Sequence, residues 1–315
     1  MVAAQAGSIV SVVGPGRSGT TVLGEILGEV EGVFDAGELR WIWRRGLTER
    51  RRCGCGEALP DCPLWSEVLR AAGPRLPPPA EVVDLQRRIG RRSVRARVLA
   101  GARPGSPAPD DMRRYADVMS LVYRAICEVS GARVVIDTSK RAIDAAVANR
   151  VAGDNHFLLH VVRDPRAVAY SWQRVKANPS SDEAPVLSRR TAPASAVRWV
   201  ENSLSAEMLR RRIRPDRQLF VRYEDFAREP DGTIRGVLAF LGQDPAASPV
   251  SDRGVVALGR NHTVAGNPDR FRSGGDVEIR EDAAWRAGLG VRDRVAVQTL
   301  TWPLLLRYGY PAGRH

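Results

Sequence analysis

The chain has 315 residues, of which 43% are hydrophobic, which is enough for one large α/β domain or two small ones. It contains no run of about 18 apolar residues that would span a bilayer, and its first residues lack the basic region of a signal peptide, so a cytoplasmic location is expected. Its 48 Lys and Arg against 36 Asp and Glu give a net charge of +12, which favours anionic ligands unless it reflects genomic composition alone; no basic stretch interleaved with aromatics is present, so nucleic acid is not expected as a partner.

Ser8–Val13 is a β-branched run that reads as a buried strand, and it leads into Gly14–Pro15–Gly16–Arg17–Ser18–Gly19 and then Thr20 and Thr21. A strand, a glycine-rich turn and a helix start form a phosphate cradle, because backbone N–H groups and the helix N-terminus converge on an anion. The spacing overlays on G-x-x-x-x-G-K-[ST], but Thr20 stands where nucleotide triphosphatases carry lysine. Such a loop suits a phosphate and is poorly built for γ-phosphoryl transfer. The cation lies inside the loop, as Arg17.

Further buried strands are predicted at Arg133–Asp137, Phe157–Val162 and Leu219–Arg222, and a second strand should end near Asp35–Arg40. Helices are predicted near Thr20–Val30, Pro63–Ala72, Ala80–Leu99, Asp111–Ser130, Arg141–Val151, Arg166–Ala177, Ala192–Arg212, Thr233–Leu241 and Arg292–Tyr308. Alternating strands and helices imply an α/β fold, a parallel sheet flanked by helices with ligands at the carboxyl ends of its strands. Residues 41–130 form a helical insertion, broken at Pro74–Pro79 and Gly101–Asp111; Asn178–Pro193 reads as a loop. Residues 1–315 are taken as one domain with a helical cap.

Cys53, Cys55 and Cys62 cluster, but no histidine is close in sequence to complete a zinc set. A reduced loop, a disulfide and a metal site all remain open, the disulfide disfavoured in a cytosolic compartment. Cys127 falls in a helical pattern and is assigned to the core.

Arg163 ends a strand, Asp164–Pro165 starts the next helix, and Ser171 follows eight residues after the arginine. That pair could grip a second phosphate; a helix start with solvated arginines is the plainer alternative.

Together these segments resemble the sulfotransferases that use 3′-phosphoadenosine 5′-phosphosulfate (PAPS). Arg17–Thr21 resembles the family's 5′-phosphosulfate loop, and Arg163 with Ser171 its 3′-phosphate motif. Tyr223–Glu224–Asp225 is similar to its Y-E-D element, whose tyrosine lies at the adenine. Gly266–Arg272 is similar to the G-N-P-x-R segment of bacterial members. The resemblance runs from residue 8 to about residue 275 and fits the insertion least. It implies a P-loop NTPase-like fold and transfer of a sulfuryl group from PAPS to a hydroxyl.

In that scheme Arg17, Ser18, Gly19, Thr20 and Thr21 hold the 5′-phosphate, and Arg163 and Ser171 the 3′-phosphate. Tyr223 lies at the base, and Arg270 and Arg272 belong to a basic loop closing over the donor. Arg17 and Lys140, the latter placed like the catalytic lysine of the tyrosyl-protein branch, would stabilise the leaving oxygen. No metal is required, since these side chains supply the charge that Mg²⁺ supplies in kinases.

Family members use either a histidine or a glutamate as base. Glu38, 21 residues after Arg17 and in a Glu-x-Arg pattern, resembles the glutamate branch; capping the next helix or pairing with Arg40 is its plainer reading. His262 is the alternative base, while His156 and His160 read as core residues of a strand. Trp41, Trp43 and Trp65 are either acceptor-pocket walls or the core of the cap. The acceptor, whether carbohydrate, lipid or secondary metabolite, and the oligomeric state carry no readable code; a protein tyrosine is disfavoured by the lack of secretory targeting. A P-loop small-molecule kinase and a non-catalytic adenosine-bisphosphate-binding protein are the rival readings.

Overall fold

The structure is a computed structural model that describes residues 7–174, 177, 179, 189–271 and 275–311. Five parallel strands form its centre: β1 (Ser8–Val13), β2 (Val33–Gly37), β3 (Val134–Lys140), β4 (His156–Val162) and β5 (Gln218–Arg222), in the spatial order β2-β3-β1-β4-β5. The helices in chain order are α1 (Thr20–Gly28), α2 (Pro63–Ala72), α3 (Pro79–Ile89), α4 (Arg92–Ala100), α5 (Asp110–Ser130), α6 (Ala142–Ala152), α7 (Pro165–Gln173), α8 (Ala192–Arg210), α9 (Tyr223–Arg228), α10 (Pro230–Phe240), α11 (Trp285–Gly288) and α12 (Val291–Arg307). This is the expected α/β architecture with a P-loop-like sheet. No helix among the described residues is long and apolar enough to cross a membrane.

Both faces of the sheet are covered, as its apolar strands require. Alternation along β1 sends Ile9 and Val13 into one core with α5 and α6, and Val10 and Val12 into another with α1 and α10. The segment between β2 and β3 is helical. Its longest element, α5, buries Met112, Tyr115, Met119, Val122, Tyr123 and Ile126, a spacing of three and four that forms one stripe. That stripe joins the first core, so the segment packs directly on the sheet.

Several boundaries differ from expectation. The helix expected over Ala80–Leu99 is two, because Gly90 ends α3 and Arg91 is extended. The helix expected from Thr233 starts earlier, at Pro230, and α9 precedes it. The helix after Arg163 stops at Gln173, where Arg174 turns extended. An antiparallel hairpin, β6 (Val255–Leu258) with β7 (Gly275–Glu278), lies beside α1. Most of the expected loop Asn178–Pro193, together with Arg272 and His315, lies outside the described residues.

Candidate active site

The turn after β1 is shaped by backbone that ordinary residues avoid. Gly14 has φ +143°, and a Cβ there would sit 1.9 Å from the Val161 carbonyl oxygen of β4. Gly19 has φ +77°, and a Cβ would meet the Tyr223 ring at 2.7 Å. Only glycine fits either position. Gly19 also begins α1 with no side-chain cap, which leaves the helix's first N–H groups free for an anion. The Ser18 hydroxyl and the Nε atoms of Arg17 and Arg163 are buried without a protein partner. Arg17 and Arg163 line cavities at this loop, so their open donors are available to a ligand's oxygens there.

Two adjoining cavities meet at this loop and share Arg17, Gly19, Val22 and Asn267. One, of about 270 Å³, is lined by Thr20, Thr21, Glu38, Trp41, Arg45, Lys140, Trp172 and Arg190 among others. The other, of about 340 Å³, is lined by Arg163, Ser171, Arg174 and Tyr223 and by the hairpin side chains Val277 and Ile279. The first therefore holds acid–base groups. The second offers an aromatic face with cations, and also the carboxylates of Glu25, Asp269, Glu278 and Asp282, of which Asp282 pairs with Arg163 at 3.4 Å.

In the first cavity, Glu38 follows Gly37 at the end of β2. Gly37 has φ +69°, and a Cβ there would lie 2.7 Å from the Ala265 carbonyl; the Glu38 N–H donates to that same carbonyl at 2.8 Å. The Glu38 carboxylate accepts a short hydrogen bond from Lys140 Nζ, and its other oxygen accepts from Trp41 Nε1 at 2.9 Å. Burial pushes the carboxyl up, but the Lys140 charge and its hydrogen bond outweigh that and hold it below the ordinary range. Arg40 is not its partner: it pairs with buried Asp144 at 3.0 Å, and its N–H donates to Ser139 Oγ at 3.1 Å. The side chain of Glu38 caps no helix. Trp41 lies between the guanidinium groups of Arg40 and Arg45, 4.2 and 3.9 Å from the ring centre.

Arg17 is held by Asn267, whose Oδ1 accepts from Nη1 at 2.7 Å, and its guanidinium lies 4.6 Å from the Trp172 ring centre. The Asn267 N–H donates to Thr21 Oγ1 at 3.2 Å. In the second cavity Arg163 lies over the Tyr223 ring at 4.3 Å and donates to the Arg17 carbonyl at 3.1 Å. Its turn is braced from behind. Glu224 Oε1 accepts from the Asp164 N–H at 2.9 Å, Tyr310 OH donates to Glu224 Oε2 at 2.8 Å, and Trp199 Nε1 donates to the Arg163 carbonyl at 2.9 Å.

The structure thus brings Arg17, Gly19, Thr20, Thr21, Glu38, Lys140, Arg163, Ser171 and Tyr223 to one continuous cleft, with Ser18 buried in the loop beneath. Arg270 is a correction. It is 2% exposed, and its guanidinium donates to the carbonyls of Thr263 and Arg52, each at 2.7 Å; these bonds spend it on holding its loop, and it lines neither cavity. His262 is a second correction, because its Nδ1 lies 3.2 Å from Cys62 Sγ and 4.0 Å from Cys53 Sγ, not at the cleft. It supplies the histidine that the cysteine cluster lacks in local sequence. His156 and His160 are buried core residues, each held near a pKa of about 3 by burial. Trp43 and Trp65 are buried in the core, and of the three tryptophans only Trp41 reaches the cleft. Arg45, Arg190 and the brace Glu224 were not anticipated; Glu224 alone had a signal, its place beside Tyr223.

Known proteins share this family and fold. A model described as "Sulfotransferase family" matches residues 10–246. Among solved structures, the sulfotransferase domain from the curacin biosynthetic pathway superposes with a TM-score of 0.54 at 16% identity, covering 98% of this chain and all of that one. The sulfotransferase domain from the Synechococcus PCC 7002 olefin synthase gives 0.51 at 21% identity, covering 96% and 95%. No curated protein matches in sequence. The chain belongs to the sulfotransferase family and is a transferase.

Proposed function

We propose that this sulfotransferase moves the sulfuryl group of PAPS to a hydroxyl acceptor by in-line attack, with Glu38 as the base and Arg17 and Lys140 as the cations at the leaving oxygen. The observation that carries the reading is the meeting of the Arg17–Thr21 cradle with Glu38–Lys140 on one side and Arg163–Ser171–Tyr223 on the other. A donor with two phosphate groups and a purine needs that sequence of sites. Ser18, Gly19, Thr20 and Thr21 receive the 5′-phosphate, Arg163 and Ser171 the 3′-phosphate, and the base lies along Tyr223.

Sulfuryl transfer turns the bridging oxygen of the phosphosulfate into a phosphate oxygen, and negative charge accumulates there as the S–O bond breaks. Fixed cations already aimed at that region stabilise it without reorganisation. The acceptor hydroxyl must lose its proton as the new O–S bond forms. A carboxylate is far too weak a base to form a free alkoxide, so Glu38 takes the proton in step with bond formation. Its ion pair keeps it deprotonated and aligned. Lys140 exchanges its interaction with Glu38 for one with the donor as charge develops.

The acceptor approaches beside Trp41, Arg45, Trp172 and Arg190, and residues 41–130 supply part of that wall. The catalytic scheme itself uses no metal. Arginine at position 17 and threonine at position 20 favour this donor over ATP, which sets the reading apart from a small-molecule kinase.

The test is calorimetric titration of adenosine 3′,5′-bisphosphate, ADP and ATP without added metal, together with turnover of the Glu38→Gln variant. Tight binding of the bisphosphate alone supports the donor. Glu38→Gln should keep that affinity within a few-fold while turnover falls by about 10²-fold or more. Preference for ATP, or full activity of Glu38→Gln, would overturn the proposal.

A further inference from the structure

Four side chains outside the cleft converge in a way the transfer reaction does not use. The sulfurs of Cys53, Cys55 and Cys62 and a ring nitrogen of His262 all lie within 4.8 Å of one another. Cys53 and Cys62 are buried, and all three cysteines are free thiols. Tetrahedral zinc with Zn–S near 2.3 Å and Zn–N near 2.0 Å spaces its ligand atoms about 3.5–3.8 Å apart. The Cys62–His262 and Cys53–His262 separations of 3.2 and 4.0 Å bracket that spacing.

The backbone is built to present these groups. The Gly56 N–H donates to the Cys53 carbonyl at 2.9 Å and the Cys53 N–H to the Glu57 carbonyl at 2.8 Å, a tight reversal in which Gly56 takes φ +95°. The other strand of the site is tied on independently of the imidazole: Trp65 Nε1 donates to the His262 carbonyl at 2.6 Å, and the Gly54 N–H to the Thr263 carbonyl at 2.9 Å.

We infer that Cys53, Cys55, Cys62 and His262 form a closed Cys₃His site for one zinc ion, a structural metal that fastens residues 53–62 to the loop carrying Asn267. The donor set suits zinc, since three thiolates and a neutral imidazole are the ligands of a four-coordinate structural site with no open position for substrate. Three thiolates around a dication leave one net negative charge. The buried Arg270 guanidinium, which donates to the carbonyl of Arg52 next to Cys53 at 2.7 Å, offsets it. A Cys53–Cys62 disulfide would leave Cys55 and His262 without a role.

The site has a mechanical consequence at the cleft. From His262 the chain runs through Val264, whose N–H donates to the Ala36 carbonyl at 3.0 Å, and Ala265, which accepts from the Glu38 N–H, to Asn267, which holds Arg17. Zinc would therefore stiffen the segment that positions both the base and the loop cation. This inference concerns the metal alone and holds whichever donor the cleft takes.

The test begins with metal analysis of protein purified without chelator, and of protein refolded with zinc chloride. The expected result is about one zinc per chain, three thiols that react only after chelation, and, on replacement by Co²⁺, thiolate charge-transfer and tetrahedral d–d absorption. His262→Ala and Cys62→Ser should lose the metal. His262→Cys should keep it, as a Cys₄ site, which separates loss of a ligand from loss of the fold. Chelation should lower the thermal midpoint and weaken adenosine-bisphosphate binding several-fold. A native protein without zinc whose thiols react freely even after zinc is supplied, a Cys53–Cys62 disulfide in the protein as isolated from the cytoplasm, or undiminished zinc in both His262→Ala and Cys62→Ser would overturn the inference.

Discussion

Arg17 and Lys140, the two cations proposed at the leaving oxygen, both have left-handed backbone, with φ of +72° and +68°. Arg50 is the one other non-glycine with positive φ among the described residues. A side chain in this region costs about 1–2 kcal/mol relative to glycine, and such strain persists where the surroundings enforce it. At Lys140 they do: the Gly14 N–H donates to its carbonyl at 3.0 Å, coupling the end of β3 to the phosphate loop. Replacing Lys140 removes the ion pair to Glu38 whatever replaces it, so the comparison of interest is between two replacements. Lys140→Gly should be more stable than Lys140→Ala by about 1 kcal/mol or more in urea unfolding, although both lose activity. Equal stability would show that the strained backbone relaxes in solution. The same pair reads the state of Glu38. In the wild type its carboxyl lies below the ordinary range, so kcat/KM should stay flat from pH 7 down to about pH 5 and fall only as the depressed pKa is crossed. Without Lys140, burial is opposed only by the Arg45 charge and the Trp41 hydrogen bond, and the carboxyl moves up. The acid limb of the residual activity should then move to higher pH in both variants.

The β4–α7 turn shows how an element positions a binding group. Arg163 leaves β4 with its guanidinium over Tyr223, while Asp164 caps α7 through the Arg166 N–H and pairs with the buried Arg166 side chain at 2.6 Å. Glu224, at the start of α9, takes the Asp164 N–H and locks the turns after β4 and β5 together. Glu224→Ala would leave the Asp164 N–H unsatisfied and the Tyr310 hydroxyl with the Val162 carbonyl alone, at 3.3 Å, and let Arg163 drift. The expected result is a several-fold rise in KM for the donor with kcat nearly unchanged; a fall in kcat alone would place Glu224 in the chemistry instead. Arg163 and Tyr223 are legible because each follows an apolar run whose end can be seen in sequence, and Ser171 through its eight-residue separation from Arg163. Glu38 is legible through the family pattern, although β2 itself is short and its apolar run is broken by Asp35 and Gly37. Arg45 and Arg190 gave no signal among 48 basic residues. The hairpin was equally silent, since β6 and β7 have four residues each and β7 is mostly exposed. His262 is 200 residues from Cys62, and no local spacing could join them. What sequence conveyed was local chemistry at strand ends, and what it withheld was long-range closure.

At the scale of the molecule, the sheet order places β1 at the centre, with β3 and β2 to one side and β4 and β5 to the other. The crevice at such a reversal, at the carboxyl ends of the strands, is where open α/β sheets bind ligands, and both cavities lie there. The same packing buries carboxyl groups behind the cleft. Burial, and in the case of Glu25 the neighbouring Asp35, pushes Glu25 up to about 8 and Asp35 up to about 7. These groups hold protons in the folded chain that the unfolded chain has already lost. The stability they contribute is complete below the ordinary carboxyl pKa and is lost as pH rises through the folded values, at about 1.4 kcal/mol per pH unit for each proton held. His156 and His160 act in the opposite sense: both are neutral when folded, down to a pKa of about 3, so the stability they contribute is lost as pH falls below about 6.5. Above that pH the histidines are silent, and the buried carboxyls lower stability as pH rises. Between pH 6.5 and pH 8.5 the thermal midpoint of the wild type should therefore fall relative to that of the Glu25→Gln, Asp35→Asn double variant. Parallel pH dependence in the two proteins would mean that these carboxyls are ionised in the folded chain.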